Sequence, residues 1–267
     1  MAAMPSRKGG DFDMRSGFRG LCWKVIAAAL CFLPVARGAS AQDEKSSSDW
    51  GFQVTPYLWL AGMGGTITTA SGRSASFSQS FSDIFNNLNA GVMLLGEARY
   101  QRWHLLADFD YVRLTTDASR AGPILGQPSV ETKEFLGTLD GGYRIVDSDA
   151  FKLDGLVGVR VISIANTLSF SAIPQTSSSS QTWADPLIGA RAILPIGSGF
   201  FANAYGDVGG GPDGDLTWQL YGGLGYDFNQ TVSAYVGYRY LSINHDANNL
   251  SFDISQQGPL LGVGIKF

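Results

Sequence analysis

Apolar and polar residues alternate with a period of two through most of the chain beyond residue 50, most cleanly at its end. There Leu261, Val263, Ile265 and Phe267 alternate with Gly262, Gly264 and Lys266, and the chain stops on the aromatic residue. Successive side chains of a strand point to opposite faces, so this pattern predicts a strand with one apolar face and one small or charged face. Reading for the same alternation predicts ten segments. They cover about Trp50–Gly62, Leu88–Tyr100, Trp103–Leu114, Val130–Val146, Phe151–Ile164, Thr182–Leu194, Gly199–Gly209, Leu216–Phe228, Thr231–Ile243 and the closing stretch after Ser251. Most are near the ~9–11 residues that cross a bilayer as a tilted strand.

The connections alternate in length. Short ones fall at Gln101-Arg102, Asp147–Ala150, Pro195–Ser198 and Asn229-Gln230; longer ones fall at about 67–87, 115–129, 165–181 and 244–251, with 210–215 a shorter member. Tyr100, Trp103, Tyr143, Phe151, Phe200, Tyr226, Phe228 and Phe267 sit on the apolar faces beside the short turns. Short turns at one end, longer loops at the other and an aromatic girdle are the expected features of an outer-membrane barrel. Tyr111, Trp218, Tyr238 and Tyr240 are candidates for the opposite girdle. After Ala36 no apolar run approaches the length of a spanning helix. Lipid satisfies no backbone groups, so a membrane form must be a closed barrel. The expected fold is therefore all-β: a closed antiparallel transmembrane barrel of ten strands, with eight and twelve as the neighbouring even counts. A soluble barrel would also alternate, but with 16% charged residues it would have too few to cover its surface.

The N-terminus reads as an export signal. Arg7, Lys8, Arg15, Arg19 and Lys24 precede an apolar run from Val25 to Ala36, and Ala39-Ser40-Ala41 offers small residues for cleavage. Basic region, short apolar region and A-x-A site define a secretory signal peptide. The expected organisation is a cleaved signal over residues 1–41 and a barrel domain over 42–267, with Met1, Met4 or Met14 as the start. Cys22 and Cys31 leave with the signal, so thiol chemistry and disulfides are excluded from the mature chain. The mature chain keeps 13 basic and 21 acidic residues, a balance that argues against a nucleic-acid partner.

Several stretches resemble a family of small bacterial outer-membrane β-barrel proteins, mostly without assigned activity. They are Thr55-Pro56-Tyr57-Leu58-Trp59 followed by Gly64-Gly65; Trp183-Ala184-Asp185-Pro186 with Gly189 and Arg191; Ala204 to Gly210; Gly237-Tyr238-Arg239-Tyr240-Leu241; and Gly258 to Gly264. The resemblance runs from Trp50 to the C-terminus. It implies the barrel, an outer-membrane location and lipid as surroundings. Leu261, Val263, Ile265 and Phe267 resemble the terminal signal read by barrel-assembly machinery, which makes that machinery an expected partner. It implies no substrate, since one fold hosts many functions.

Candidate chemistry lies on the inward faces. Glu97, Arg99, Asp108, Asp110, Glu134, Asp140, Arg144, Lys152, Asp154, Arg160, Asp185, Arg191, Asp207 and Arg239 all take inward positions, with both signs interleaved on neighbouring segments. Charges withdrawn from water need partners, and arginine with carboxylate supplies them in a fork geometry. The pattern predicts a structural charge network filling a narrow lumen, with a polar path for ions or small solutes as the functional counterpart. Enzyme chemistry has little material. Only His104 and His245 remain after cleavage, and His245 is expected in an outer loop beside Asp246. Neighbouring strand residues face opposite ways, so these two make a poor omptin-like hydrolase pair. There is no G-x-S-x-G elbow and no zinc-ligand cluster. Catalytic, metal and cofactor sites are expected to be none. The glycine groups at 209–211 and 222–223 are expected in barrel loops and close strand packing. The expected role is a non-enzymatic envelope barrel or narrow pore. The alternative is an adhesin or receptor using the outer loops, where Phe77, Phe81 and Phe85 fall on one helical face.

Overall fold

The structure is a computed structural model of the 267-residue chain. It describes residues 49–69, 71–117, 128–170, 176–211, 215–247 and 250–267. The signal-peptide expectation falls on residues 1–41, outside the described residues. In chain order the elements are β1 (Trp50–Trp59), β2 (Gly62–Thr69), β3 (Ser74–Gln79), α1 (Phe81–Asn86), β4 (Leu88–Tyr100), β5 (Trp103–Asp117) and β6 (Pro128–Asp147). Then follow β7 (Lys152–Phe170), β8 (Thr176–Gly197), β9 (Phe200–Gly209), β10 (Leu216–Asp227), β11 (Val232–Ala247) and β12 (Leu250–Lys266).

Ten of the twelve strands close a ring. β1 pairs with β4, each strand from β4 to β12 pairs antiparallel with the next, and β12 returns to β1. The seam of closure is stitched at the C-terminus, where Phe52 and Phe267 exchange two backbone hydrogen bonds of 3.0 Å. The expected ten-strand barrel is present.

Two strands lie outside the expectation. The chain from Ile67 to Asn87, read as one long loop, carries the end of β2 together with β3 and α1. After a break at Leu60-Ala61, β2 resumes the ladder along the outer half of β12, from Gly62↔Gln257 to Thr69↔Leu250, and β3 adds to its other edge. On one face the cross-strand pairs are polar, as with Thr66–Ser76 at 3.0 Å and Thr68–Ser74 at 2.9 Å. Where backbone pairing and hydroxyl contacts hold a strand, it leaves little period-two apolar signal. The same reason explains why several other strands run past their expected outer ends. Ser177–Ser180, expected in a loop, pair with β7 as the outer end of β8. His245, also expected in a loop, lies on β11 opposite Phe252. α1 spans only Phe81–Asn86, so Phe77 belongs to β3 while Phe81 and Phe85 keep their ring contact at 5.7 Å. Ser80 caps the helix and donates to Asp83, holding that exposed carboxyl below its ordinary pKa.

The outward face is a band of exposed aliphatic side chains, among them Leu105, Leu139, Val157, Ile188, Leu220, Leu224, Val236 and Leu261. A contiguous apolar belt of this kind has the character of a lipid-facing surface rather than a wetted one. Aromatic contacts line its short-turn edge: Trp50–Tyr100, Trp103–Tyr143, Phe200–Tyr226, Tyr226–Phe228 and Phe52–Phe267. Trp50 and Phe52 join the expected set. Towards the other edge Trp218 stacks on Tyr240 at 4.8 Å.

The core lies inside the barrel. Tyr57, Trp59, Leu136, Ile162, Leu241 and Ile243 form one buried cluster. Glycine makes room where large inward side chains cross. The Tyr221 ring lies where a Cβ on Gly237 would come within 2.5 Å of it. The tight connection around Ser198 also needs left-handed backbone, with φ of 108° at Gly197 and 83° at Gly199.

Candidate functional site

The interior is built in tiers, each supplied by inward positions of several strands. Nearest the short turns, β8 presents Arg191, whose two terminal nitrogens donate to the Glu97 carboxylate of β4 at 2.8 and 2.9 Å. This is the bidentate fork that matches a planar guanidinium to a carboxylate. The Arg191 Nε donates to Asp154 of β7 at 3.0 Å, and Arg144 of β6 binds the same carboxylate. His104 of β5 is wedged into the cluster, with Nδ1 3.0 Å from Glu97 and Nε2 3.7 Å from Asp154. Lys152 lies further out, 3.7 Å from Asp147.

At mid-height two arginines cross the lumen. Arg160 of β7 is fully buried (0% exposed). It donates to Asp207 of β9 at 2.5 Å, Thr217 of β10 at 2.9 Å and Thr138 of β6 at 3.2 Å. The Tyr205 hydroxyl bridges Asp207 and Asp140 at 2.7 and 2.8 Å. Arg239 of β11 reaches across to the opposite wall, 2.9 Å from Asp110 and 3.2 Å from Asp108 of β5. It also donates to Gln219 at 2.8 Å and to the Tyr57 hydroxyl at 3.0 Å, and its guanidinium lies 4.4 Å from the Trp59 ring centre. The Tyr57 hydroxyl itself sits 2.7 Å from Asp108 and 2.8 Å from Asp110.

The buried apolar cluster around Leu136, Ile162, Leu241 and Ile243 lies next to this tier. Beyond it, Gln256 binds Glu134 at 2.5 Å, and His245 stacks on Trp183 with ring centres 4.0 Å apart. His245 Nδ1 is 2.6 Å from the Asp215 carboxylate. Asp246 is exposed and only its backbone N–H reaches Asp215, so the sequence neighbour is not the partner.

The expected charge set is thus on the inward face, and most of it is drawn into three clusters: Glu97–Arg191–Asp154–Arg144, Arg160–Asp207–Asp140, and Arg239–Asp108–Asp110. Arg99 stays at the short-turn mouth beside Gly51. Asp185 is buried but not in these clusters. Sequence reasoning did not single out Tyr57, Tyr205, Asp215, Thr217 or Gln219 for this network, and it weighed His104 only as enzyme material. Most are neutral groups whose only signal is an inward position, and many inward positions carry no such role. Among the described residues no group of three His, Cys, Asp or Glu side chains converges as a metal site would.

A cavity of about 900 Å³ opens at the short-turn end and is lined by Gln53, Arg99, Arg144, Lys152 and Tyr235. It reaches as far as Tyr57, Asp108 and Arg239, where the crossing arginine tier meets it. The arrangement leaves polar space at the short-turn end and bonded arginine side chains at mid-height.

No protein-family model matches the chain, and no curated protein does. Solved structures do. The outer membrane protease OmpT from Escherichia coli superposes with a TM-score of 0.54 at 11% identity, over 83% of this chain and 98% of that one. The translocator domain of autotransporter NalP from Neisseria meningitidis covers 92% and 94% at 14% identity, with a TM-score of 0.43. Ail, the attachment invasion locus protein of Yersinia pestis, covers 82% and 98% at 14% identity, with a TM-score of 0.34. At such identities the likeness is one of fold: that of bacterial outer-membrane β-barrels.

Proposed function

We propose that this chain is a non-enzymatic outer-membrane barrel whose lumen is closed at mid-height, an envelope barrel rather than an open pore. The observation that carries the reading is the burial of Arg160 and Arg239 at 0% and 2% exposure, each bonded to groups on other walls. A conducting path needs continuous water. Here the guanidinium groups, their carboxylates and the adjoining apolar cluster occupy the space a path would need. The exposed aliphatic belt supports a lipid setting, and the basic region, apolar run and A-x-A site of the N-terminus support delivery by export with cleavage after Ala41. The cavity at the short-turn end then faces the periplasm and takes small solutes or ions without passing them on. Planar-bilayer recording tests the reading. The refolded mature protein is expected to be electrically silent, whereas Arg239→Ala, which removes the crossing side chain and leaves Asp108 and Asp110 unpaired, is expected to give small flickering steps. Steady single-channel steps from the unaltered protein overturn the proposal.

A second reading rests on one contact. An imidazole held through Nδ1 by a carboxylate, as His245 is by Asp215, presents its other nitrogen as a general base. The shared fold includes an outer membrane protease, and this pair lies towards the long-loop end. Against it, the His245 ring is buried and packs on Trp183 and near Phe252, with ring centres 4.0 and 6.5 Å away. The hydrolase reading requires peptide cleavage by the folded protein that His245→Ala abolishes; the non-enzymatic reading expects no cleavage by either form.

A further inference from the structure

The barrel wall is not sealed evenly by backbone pairing. β1 and β4 pair from Trp50↔Tyr100 only as far as Pro56↔Leu94. Proline has no N–H with which to extend a ladder. Beyond it, β2 continues along β12 but gives its other edge to β3. Among the described residues, the edge of β4 from Leu88 to Met93 therefore has no strand partner on the β1 side. The Trp59 N–H, which would belong to the missing ladder, is instead 3.2 Å from the thioether sulfur of Met93.

Behind this seam lies a cavity of about 60 Å³ whose apolar lining includes Trp59, Met63, Met93 and Leu136, with Ile84 from α1, while Asp110, Glu134 and Gln256 supply its polar part. On the outside, Leu58, Val92 and Leu94 are exposed and continuous with the apolar belt. We propose that the seam is a lateral port that admits a segment of one acyl chain of an outer-leaflet lipid into this cavity. The port interrupts the lipid-facing wall itself, so the molecules in contact with it are acyl chains. An apolar cavity of about 150 Å³ holds a benzene, so this smaller one takes a few methylene groups and no headgroup. Methionine, unbranched and flexible, suits a gate that must repack around a chain. The inference rests on the lipid-embedded reading but not on closure of the lumen.

The test uses the full mature protein in phosphatidylcholine vesicles doped with a phosphatidylcholine that carries a diazirine midway along one acyl chain. After irradiation, adducts are mapped by mass spectrometry. Outward Val157, on a distant wall, reports insertion. The expected result is labelling of inward Met93 and Trp59 as well as of Leu58 and Val92. Met93→Trp, which fills the cavity, is expected to lower adducts on Trp59 and Leu136 several-fold while leaving Val157 unchanged; Met93→Ala is expected to raise them. Labelling confined to outward side chains overturns the port, as does inward labelling indifferent to Met93→Trp. Loss of label at Val157 in the unaltered protein would instead overturn the lipid-embedded reading.

Discussion

At the scale of single residues the interior separates two kinds of ion pair. Arg160 and Asp207 are shielded from water and sit in a network with Thr138, Thr217 and Tyr205. Lys266 and Asp227 are close too, at 2.6 Å, but both are about one-third exposed. Removing one member of a buried pair strands the other without solvent and costs about 3–5 kcal/mol, whereas a solvated pair contributes about 0–1 kcal/mol. Arg160→Ala is therefore expected to lower unfolding stability by about 3–5 kcal/mol and Asp227→Asn by under about 1 kcal/mol. Urea titration of vesicle-inserted protein measures both, and equal losses would show that the tiers are not the stabilising groups. The partners could not have been read from neighbouring positions. Arg160 lies directly opposite Asp185 in the β7–β8 register, yet its guanidinium reaches past β8 to Asp207 on β9. A long flexible side chain chooses among several acceptors in a curved interior. His245 repeats the lesson, bonding Asp215 of the adjacent strand segment rather than Asp246 beside it.

At the scale of elements, the strands are legible where they cross an apolar medium and obscure where they leave it. β4 is recovered at Leu88–Tyr100 because lipid on one side and a packed lumen on the other impose the alternation. β8 extends to Thr176 through a serine run because pairing with β7 continues after the apolar medium ends. There the backbone ladder and pairs such as Ser163–Thr182 at 2.8 Å hold the sheet, and neither leaves a hydrophobic trace. The closing strand combines both kinds of information. Phe267 contributes two backbone bonds to Phe52 and a ring contact at 6.0 Å, at the edge of the aromatic girdle. Leu261, Val263, Ile265 and Phe267 are all exposed on the outward face. Deletion of Phe267 is expected to reduce the amount of protein inserted in the outer membrane more than any single lumen substitution does. Membrane fractionation with a heat-dependent gel shift measures it, and normal insertion of the truncated chain would remove the assembly role assigned to this strand.

At the scale of the whole molecule, ring closure and lumen filling decide what the protein can do. Ten strands enclose a narrow interior, between the eight that just hold side chains and the sixteen that leave a channel. In this barrel the larger inward groups, Tyr57, Trp59, Arg160 and Arg239, take up the mid-height section, and the remaining volume collects at the short-turn end. The departure of β2 and β3 from the ring adds the lateral seam, a feature of the wall rather than of the lumen. Both properties belong to the assembled ring, and no segment carries either alone.

The sequence by itself determined that this is a barrel, which residues point inward and where most crossings lie. Those facts follow from the two-residue repeat of a strand, a property of each backbone segment that apolar surroundings write into composition. Only the tertiary structure decided which inward charges meet, that Arg160 and Arg239 are buried in the lumen, that β2 and β3 leave the ring and that β1 and β4 part above Pro56. These depend on contacts between residues far apart in the chain, 182 positions in the case of Tyr57 and Arg239. The curvature of the closed sheet and the reach of individual side chains set them, and neither is encoded in local alternation.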